Sequence, residues 1–388
     1  MAHYNTVLHQ LVSLLPGHQF DKFVEDLGGD HYVKTFSTRS QLTTLLYAQA
    51  GGKQSLRDIQ NGLLAQGSRL YHLGLPSKVA KSTLADANTK RDSRIYEQLF
   101  YTLLGRCRDL TPKHRFRFKN PLYSLDATVI DLCLASFPWA KFRARKGALK
   151  LHCQLDHSGE LPVFMSITDG KKHEISVAKS DLTIIPDSIY CFDKGYIDYA
   201  WFRRISDEKA FFVCRAKDNM VLRFVGQHKM PKKSGIIFDD VVEMGGVYAR
   251  QDYPGKLRHI GFYDAESERY IEFTTNNFTL AAATIAAIYK ARWQIEIFFK
   301  WIKQNLKIKT FLGTSKNAVM TQIWVAMCYY LLLAYVKYQA HYKPSLFYLH
   351  RIVRETLLER ASLFDLLSLN DSRLARLKRQ DPQLCLQL

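Results

Sequence analysis

Leu122-Tyr-Ser-Leu-Asp126-Ala-Thr-Val-Ile130 decides how the rest of the chain is read. It is dense in β-branched and aromatic residues and reads as a strand with an acid at its middle. Downstream, Leu149, Leu151, Cys153 and Leu155 alternate with polar residues and predict a second strand. Pro162 to Thr168 predicts a third. Ile175 to Leu182 fits a short helix, Ile189 to Phe192 a fourth strand, Tyr199 to Ile205 a helix and Phe211 to Cys214 a fifth strand. The order is three adjacent strands, then helix, strand, helix, strand.

That is the element order of an RNase H-like α/β core. Residues 216–281 break the rhythm with a basic turn and short alternating runs (236–238, 241–242, 257–263, 270–274), and read as a β-rich insertion. Helix is expected again from about Ala281 to Lys307 and from Ala318 to Tyr338. Upstream, Ser40 precedes an apolar i, i+3, i+4 pattern that Gly51-Gly52 ends. Ser55 and Asp58 resemble a capping box, and Ser82 is expected to cap a third helix running past Ile95, Leu99 and Leu103. Short helices joined by tight turns suit a helix-turn-helix-like DNA binder, although a plain helical bundle has the same periodicity. The expected organisation is a helical N-terminal DNA-binding region over 1–115 and the first part of the core over 116–215. The insertion over 216–281, the second part of the core over 282–345 and a helical C-terminal region over 346–388, suited to dimerisation, complete it.

Composition narrows the function. Among 388 residues, 55 Lys and Arg stand against 36 Asp and Glu, a net charge of +19, and 47% are hydrophobic. The chain can bury a large core, and its charge calls for a polyanion, with nucleic acid first. Seven cysteines lie far apart with no Cys-x-x-Cys pair, which predicts reduced core thiols rather than a zinc site. Met1-Ala-His-Tyr-Asn5 has no basic segment before an apolar run, so no secretory signal is expected. Ile323 to Val336 is apolar but shorter than the roughly 20 residues of a membrane span, and reads as a buried core helix. A cytoplasmic, nucleoid-associated protein with no membrane role is expected.

Asp126 in mid-strand is costly unless it is paired or binds a metal. Asp193 follows the fourth strand in Phe192-Asp-Lys-Gly-Tyr196, at the kind of strand end where α/β sites collect. Alone, each is weak evidence, since a lone Asp at a strand end is more often a turn or cap residue. Tyr289, Arg292, Glu296 and Lys303 carry more weight. At about 100° per residue they share an arc of about 60° on one predicted helix. The other faces of that helix are apolar, so it is expected to be buried. An Arg292–Glu296 pair at i, i+4 explains two of the four residues and leaves Lys303 unexplained. Two Asp and one Glu can hold two Mg²⁺ ions, with Mn²⁺ as a substitute, for phosphodiester hydrolysis and transesterification.

This set resembles the DDE transposases of bacterial insertion sequences, in the subgroup called the insertion sequence four family. That family's signature is Tyr, two residues, Arg, three residues, Glu, six residues, Lys. Tyr289-Lys-Ala-Arg292-Trp-Gln-Ile-Glu296-Ile-Phe-Phe-Lys-Trp-Ile-Lys303 fits it without a gap. Asp193-Lys-Gly-Tyr196 matches the family's Asp-Arg-Gly-Tyr with one conservative change, and Asp126-Ala-Thr128 matches its first acidic motif. The resemblance implies that Asp126, Asp193 and Glu296 bind the metals, that Arg292 and Lys303 hold DNA phosphates, and that Tyr289 contacts a phosphate near the cleavage point. It also implies cut-and-paste transposition through a hairpin intermediate, by a homodimer bound to two terminal inverted repeats and a double-stranded target.

Relatives stack a Trp of the insertion on a flipped base, but residues 216–281 contain no Trp. Tyr248, Tyr253, Phe262, Tyr263 and Phe273 are the aromatic substitutes. Lys141, Arg143, Arg145 and Lys146 form a basic run beside Trp139, and Lys300 extends a second run along the signature helix. Such runs bind phosphate without reading sequence. His173, in Gly170-Lys-Lys-His173, could also reach the site. Two rival readings are a metal-dependent nuclease of the same fold without strand transfer, and a catalytically silent DNA-binding protein.

Overall fold

The computed structural model describes residues 5–67, 69–76, 78–143, 146–228, 235–308 and 310–369, and leaves the side chains of residues 69, 142 and 143 outside the description. The chain forms two compact units. One is built from 112–131 and 140–300, the other from 1–111, 132–139 and 301–388.

The first unit is organised by one mixed sheet. Its strands among the described residues are β1 (Leu122–Leu132), β2 (Lys141–Arg143), β3 (Lys146–Asp156), β4 (Leu161–Asp169), β5 (Ile189–Phe192), β6 (Phe211–Arg215), β7 (Leu222–Gln227), β8 (Ile236–Met244), β9 (Leu257–Asp264) and β10 (Arg269–Thr275). They lie in the order β2-β3-β1-β5-β6-β10-β9-β8-β7, with β4 also paired to β3. β1, β5 and β6 run parallel, and β4 is antiparallel to β3. Strand alternation sends Tyr123, Tyr190, Phe192 and Phe212 to one face, where Trp201 and Phe202 of the Tyr199–Asp207 helix cover them. Leu122, Ile189, Cys191 and Val213 point to the other face, against Ile285 and Ile288 of the Ala282–Ala291 helix. Both faces are therefore buried, which is why these strands read as nearly continuous apolar runs.

The first five expected strands and the helices between them form at the expected places. β3 departs from simple alternation, because its polar members His152 and Gln154 are also buried. The segment read as an insertion does not stand apart. β10 pairs antiparallel with β6, and β9, β8 and β7 continue the same sheet. Without β10, β6 would be an exposed edge with an unpaired row of backbone groups. Arg258 of β9 ties this extension down. Its guanidinium donates to both carboxylate oxygens of Asp239 at 2.8 and 2.6 Å, and to the carbonyls of Asn277 and Leu280 just before the Ala282–Ala291 helix.

The second unit is helical. Thr38–Ala50, Lys81–Lys90, Arg94–Arg108 and Lys316–Gln339 are its principal described helices. Lys316–Gln339 is long and apolar enough to cross a membrane by length and composition, and it is nearly all buried here, with Trp324 packed on Phe100 at 5.3 Å. Ser37 caps the Thr38–Ala50 helix, and Ser55 accepts from the Asp58 backbone N–H as a cap should. Asp58 does not complete the box. Its carboxylate accepts from Gln54 instead, one residue upstream of the cap. Ser82 is not a cap either: the helix begins at Lys81 after Ala80. Nor does it run on to Leu103, because Arg91 is extended and a new helix starts at Arg94. In the C-terminal region Leu346–Thr356 and the described residues 363–369 are helical, and 370–388 lie outside the described residues. Cys107, Cys153, Cys191, Cys214 and Cys328 are buried thiols, whereas Cys133 is exposed. Cys385 lies outside the described residues.

Candidate active site

The β1–β5 register places the two aspartates. Leu122, Tyr123 and Ser124 lie opposite Ile189, Tyr190 and Cys191. Two residues beyond the last pair, Asp126 comes level with Asp193, and both share the parity of Leu122 and Ile189. They therefore point to the face covered by the Ala282–Ala291 helix. The Asp193 carboxylate accepts from the Gly195 N–H at 2.8 Å and caps a single turn over Lys194–Tyr196. A Cβ at Gly195 would stand 3.0 Å from that carboxylate oxygen, so the glycine permits the close approach. Asp126 accepts from the Ala127 N–H at 2.8 Å.

The signature residues arrive on two helices, not on the one continuous helix expected. Ala282–Ala291 ends, Arg292 forms the joint, and Trp293–Asn305 follows. Arg292 keeps right-handed helical angles at this joint. The Cys191 thiol contacts the Ile288 carbonyl at 3.8 Å, and Tyr289 packs on Phe273 at 4.9 Å, which seats the first helix on the sheet. Arg292 lies 5.5 Å over the Tyr289 ring. Its Nη2 donates to Glu296 Oε1 at 2.6 Å, and its Nη1 stands 3.6 Å from Asp126 Oδ2. Its Nε is buried without a partner. The second helix is not buried all round. Ile295, Phe298, Phe299 and Ile302 are buried, but Trp293 and Ile297 are exposed one turn apart.

Burial pushes the Asp126 carboxyl up to about 6. The Ala127 N–H and the Arg292 charge oppose that rise, while the charges of Asp193 and Glu296 add to it. Burial also raises the Tyr289 phenol to about 12. Asp126 thus feels the charges of both Asp193 and Glu296, with a guanidinium between it and Glu296. Among the described residues they do not close into a ready-made metal cage.

The remaining site candidates are scattered. Lys141, Lys146 and Lys300 are exposed, and His173 is exposed at the start of the Glu174–Asp181 helix. Arg143 lies in β2 with its side chain outside the description, and Arg145 lies outside the described residues. Lys303 is partly buried and falls with the helical unit. Of the aromatic substitutes, Tyr253 and Phe273 are buried, Phe262 is half-buried, Tyr248 is 83% exposed and Tyr263 is 45% exposed. The Arg258–Asp239 pair was not legible in sequence, since nothing marks two residues nineteen apart as partners.

A family model described as a transposase DDE domain matches residues 117–332, more than half of the chain. The chain belongs to the DDE transposase family. Its members cleave DNA and transfer the cut strand. This transposase is 35% identical over 261 residues to a protein named as transposase y4zB of Sinorhizobium fredii, covering 66% of this chain and 72% of that one. It is 27% identical over 341 residues to a protein named as a transposase for insertion sequence element IS5377 of Geobacillus stearothermophilus, covering 87% and 86%. A protein named as a transposase for insertion sequence element IS4SA of Synechocystis is 23% identical over 257 residues, covering 65% and 70%. A second family model, described as a domain of unknown function, matches residues 3–76 of the transposase.

Proposed function

We propose that this transposase performs cut-and-paste transposition at the terminal inverted repeats of an insertion sequence, with Asp126, Asp193 and Glu296 as its metal-binding carboxylates. The observation that carries the reading is the convergence on Arg292: one guanidinium holds Glu296 at 2.6 Å and stands 3.6 Å from Asp126, which is level with Asp193. The strand order β4-β3-β1-β5-β6 supports an RNase H-like core, with β7 to β10 as the insertion that extends its sheet.

The donor set fits hard divalent cations, because it offers carboxylate oxygens alone and Asp126 is raised by burial, with its acidic neighbours adding to the rise. Bound Mg²⁺, or Mn²⁺ in its place, would activate the attacking oxygen and stabilise the leaving one, two ions serving both ends. The protein's own part is positional. Asp193 is pinned by the Gly195 N–H, and Asp126 by the rigid β1 strand. Arg292 substitutes for a cation between two acids, and its guanidinium charge suits a DNA phosphate. Glu296, held by the guanidinium at 2.6 Å, would be a ligand of such an ion. Tyr289, wedged between Phe273 and Arg292, fixes the height of that guanidinium. Lys300, Lys303 and the basic run at 141–146 hold the duplex.

Hairpin formation needs a stacking ring in the extension. Tyr248 and Tyr263 are accessible enough to supply one, and the buried Tyr253 and Phe273 are not. The protein acts in the cytoplasm on the nucleoid, as a homodimer assembled on two ends.

The test is a strand-transfer assay. A pre-cut end duplex and a target plasmid are incubated with Mg²⁺ and wild type or Asp193→Asn. Joined products from the wild type alone are expected. Cutting without joining selects the nuclease reading, and binding without either selects the silent DNA binder.

A further inference from the structure

Residues 3–76 match a domain to which no function is attached, and one loop within them is built as a contact element. Its tip is Asp30-His-Tyr-Val-Lys-Thr35. Tyr32 is 91% exposed, with its ring 4.0 Å from the His31 ring. It sits at the third position of a turn closed by the Val33 N–H to the Asp30 carbonyl, with φ of +57°. Glycine or asparagine relaxes that backbone region, and tyrosine does not. A strained backbone and an unburied large ring at one residue contribute nothing to folding.

The loop is nonetheless held firmly at its stem. The buried Arg91 donates through Nε to the Gly29 carbonyl at 3.1 Å and through Nη2 to the Phe36 carbonyl, so one guanidinium clamps both ends. Asp30 accepts from the Thr38 N–H and hydroxyl at 2.6 and 2.7 Å. Gly29 is wedged where a Cβ would stand 2.8 Å from Ile95. A rigid stem that presents a strained, exposed ring is the arrangement expected where strain serves binding.

Beside the loop runs a polar groove of about 640 Å³ whose other wall is the Lys81–Lys90 helix. Thr83, Asp86, Ala87 and Lys90 line it at i, i+3, i+4 and i+7, and Lys34 lines it from the loop. Asp92, a further acid at the groove, is engaged by Arg94 at 2.6 and 2.9 Å. Asp86 lines the same groove as Lys34, Lys90 and His31. Methyl, acceptor and ammonium groups along one helical stripe match the edges of bases, and an exposed ring matches a base face.

We propose that the 30–35 loop and the Lys81–Lys90 helix form a DNA-binding site in which Tyr32 stacks on a base and Lys34 and Lys90 bind phosphate. The proposal rests on the reading of this chain as a transposase that binds element ends.

The experiment uses the full chain and a labelled duplex from the DNA flanking the reading frame, with binding measured at several salt concentrations. Tyr32→Gly removes the ring and relieves the backbone. Its thermal midpoint is expected to equal or exceed that of the wild type, while its DNA affinity falls roughly tenfold, the scale of one lost base stack. Tyr32→Phe is expected to bind like wild type. Lys34→Gln is expected to lower the slope of log affinity against log salt by about 0.9. A Tyr32→Gly protein that binds as tightly as wild type overturns the proposal and leaves the end-binding reading intact. So does one whose affinity falls only in step with its thermal midpoint. A wild type that binds none of this DNA overturns both.

Discussion

Arg292 stands 3.6 Å from Asp126, Nη1 to Oδ2, and both side chains are mostly withdrawn from water, Arg292 at 12% exposure. The same guanidinium donates to Glu296 at 2.6 Å. A fixed positive charge thus holds together two acids that would otherwise repel, and this has consequences for pH, for metal and for catalysis.

The first concerns pH. Asp126 titrates at about 6 in the folded chain, above its ordinary 3.8, chiefly through burial. A raised folded value favours the protonated form. Its stabilising contribution is complete below the unfolded value and is lost as pH rises through about 6. In chelator at pH 8, Asp126→Asn should therefore be more stable than wild type by up to about 3 kcal/mol, the equivalent of two pH units. The difference should close near pH 4. Urea unfolding at both pH values measures it.

Metal should narrow that gap. Mg²⁺ or Mn²⁺ that binds only the folded chain stabilises it by mass action, by about 1.4 kcal/mol at ten times its dissociation constant. The thermal midpoint of the wild type should rise with added metal. Those of Asp126→Asn and Glu296→Gln should rise much less.

Arg292→Gln separates metal binding from phosphate handling. Without the guanidinium, Glu296 is released to a cation, so the metal-induced shift should persist or grow. DNA cleavage should nevertheless fall by at least about a hundredfold, as befits a lost charge-assisted contact to the reacting phosphate. Cleavage rates and thermal shifts on one preparation decide it.

In the extension, Arg258 and Asp239 are buried, and each nitrogen of the Arg258 guanidinium has a carboxylate or carbonyl partner. Arg258→Met should cost about 3–5 kcal/mol by stranding the Asp239 charge, and the double change with Asp239→Leu should recover much of it. Urea titration of the three variants checks this.

Tyr248→Ala and Tyr263→Ala should leave stability within about 0.5 kcal/mol of wild type, since both rings are substantially exposed. If either ring stacks on a flipped base, its variant should lose hairpin product on a denaturing gel while still nicking. Tyr253→Ala should instead destabilise the fold, because Tyr253 is buried with its hydroxyl 3.3 Å from that of Ser206.

The proposed carboxylates Asp126, Asp193 and Glu296 were singled out by the Tyr289, Arg292, Glu296 and Lys303 spacing and the resemblance it carries, since either aspartate alone reads as a turn or cap residue. β1 to β6 were legible because strands buried on both faces leave apolar runs. The continuation of the sheet through β10 was not, because hydrophobic alternation says that a strand exists and not which edge it joins. The joint at Arg292 left no mark, since the residue stays in helical angles. Ser82 misled because a serine in the first turn reads like a cap, and Trp293 and Ile297 because periodicity cannot tell a buried apolar face from one presented outward. Arg91 gave no signal at all: its two carbonyl partners sit 62 and 55 residues away.

The most direct measurement uses a supercoiled plasmid that carries the DNA flanking this reading frame, incubated in Mg²⁺ with wild type or Glu296→Gln. The account predicts breaks at the inverted-repeat boundaries with the wild type, and bound but uncut DNA with the variant. Equal cutting by the Glu296→Gln protein would contradict the assignment of the carboxylate site.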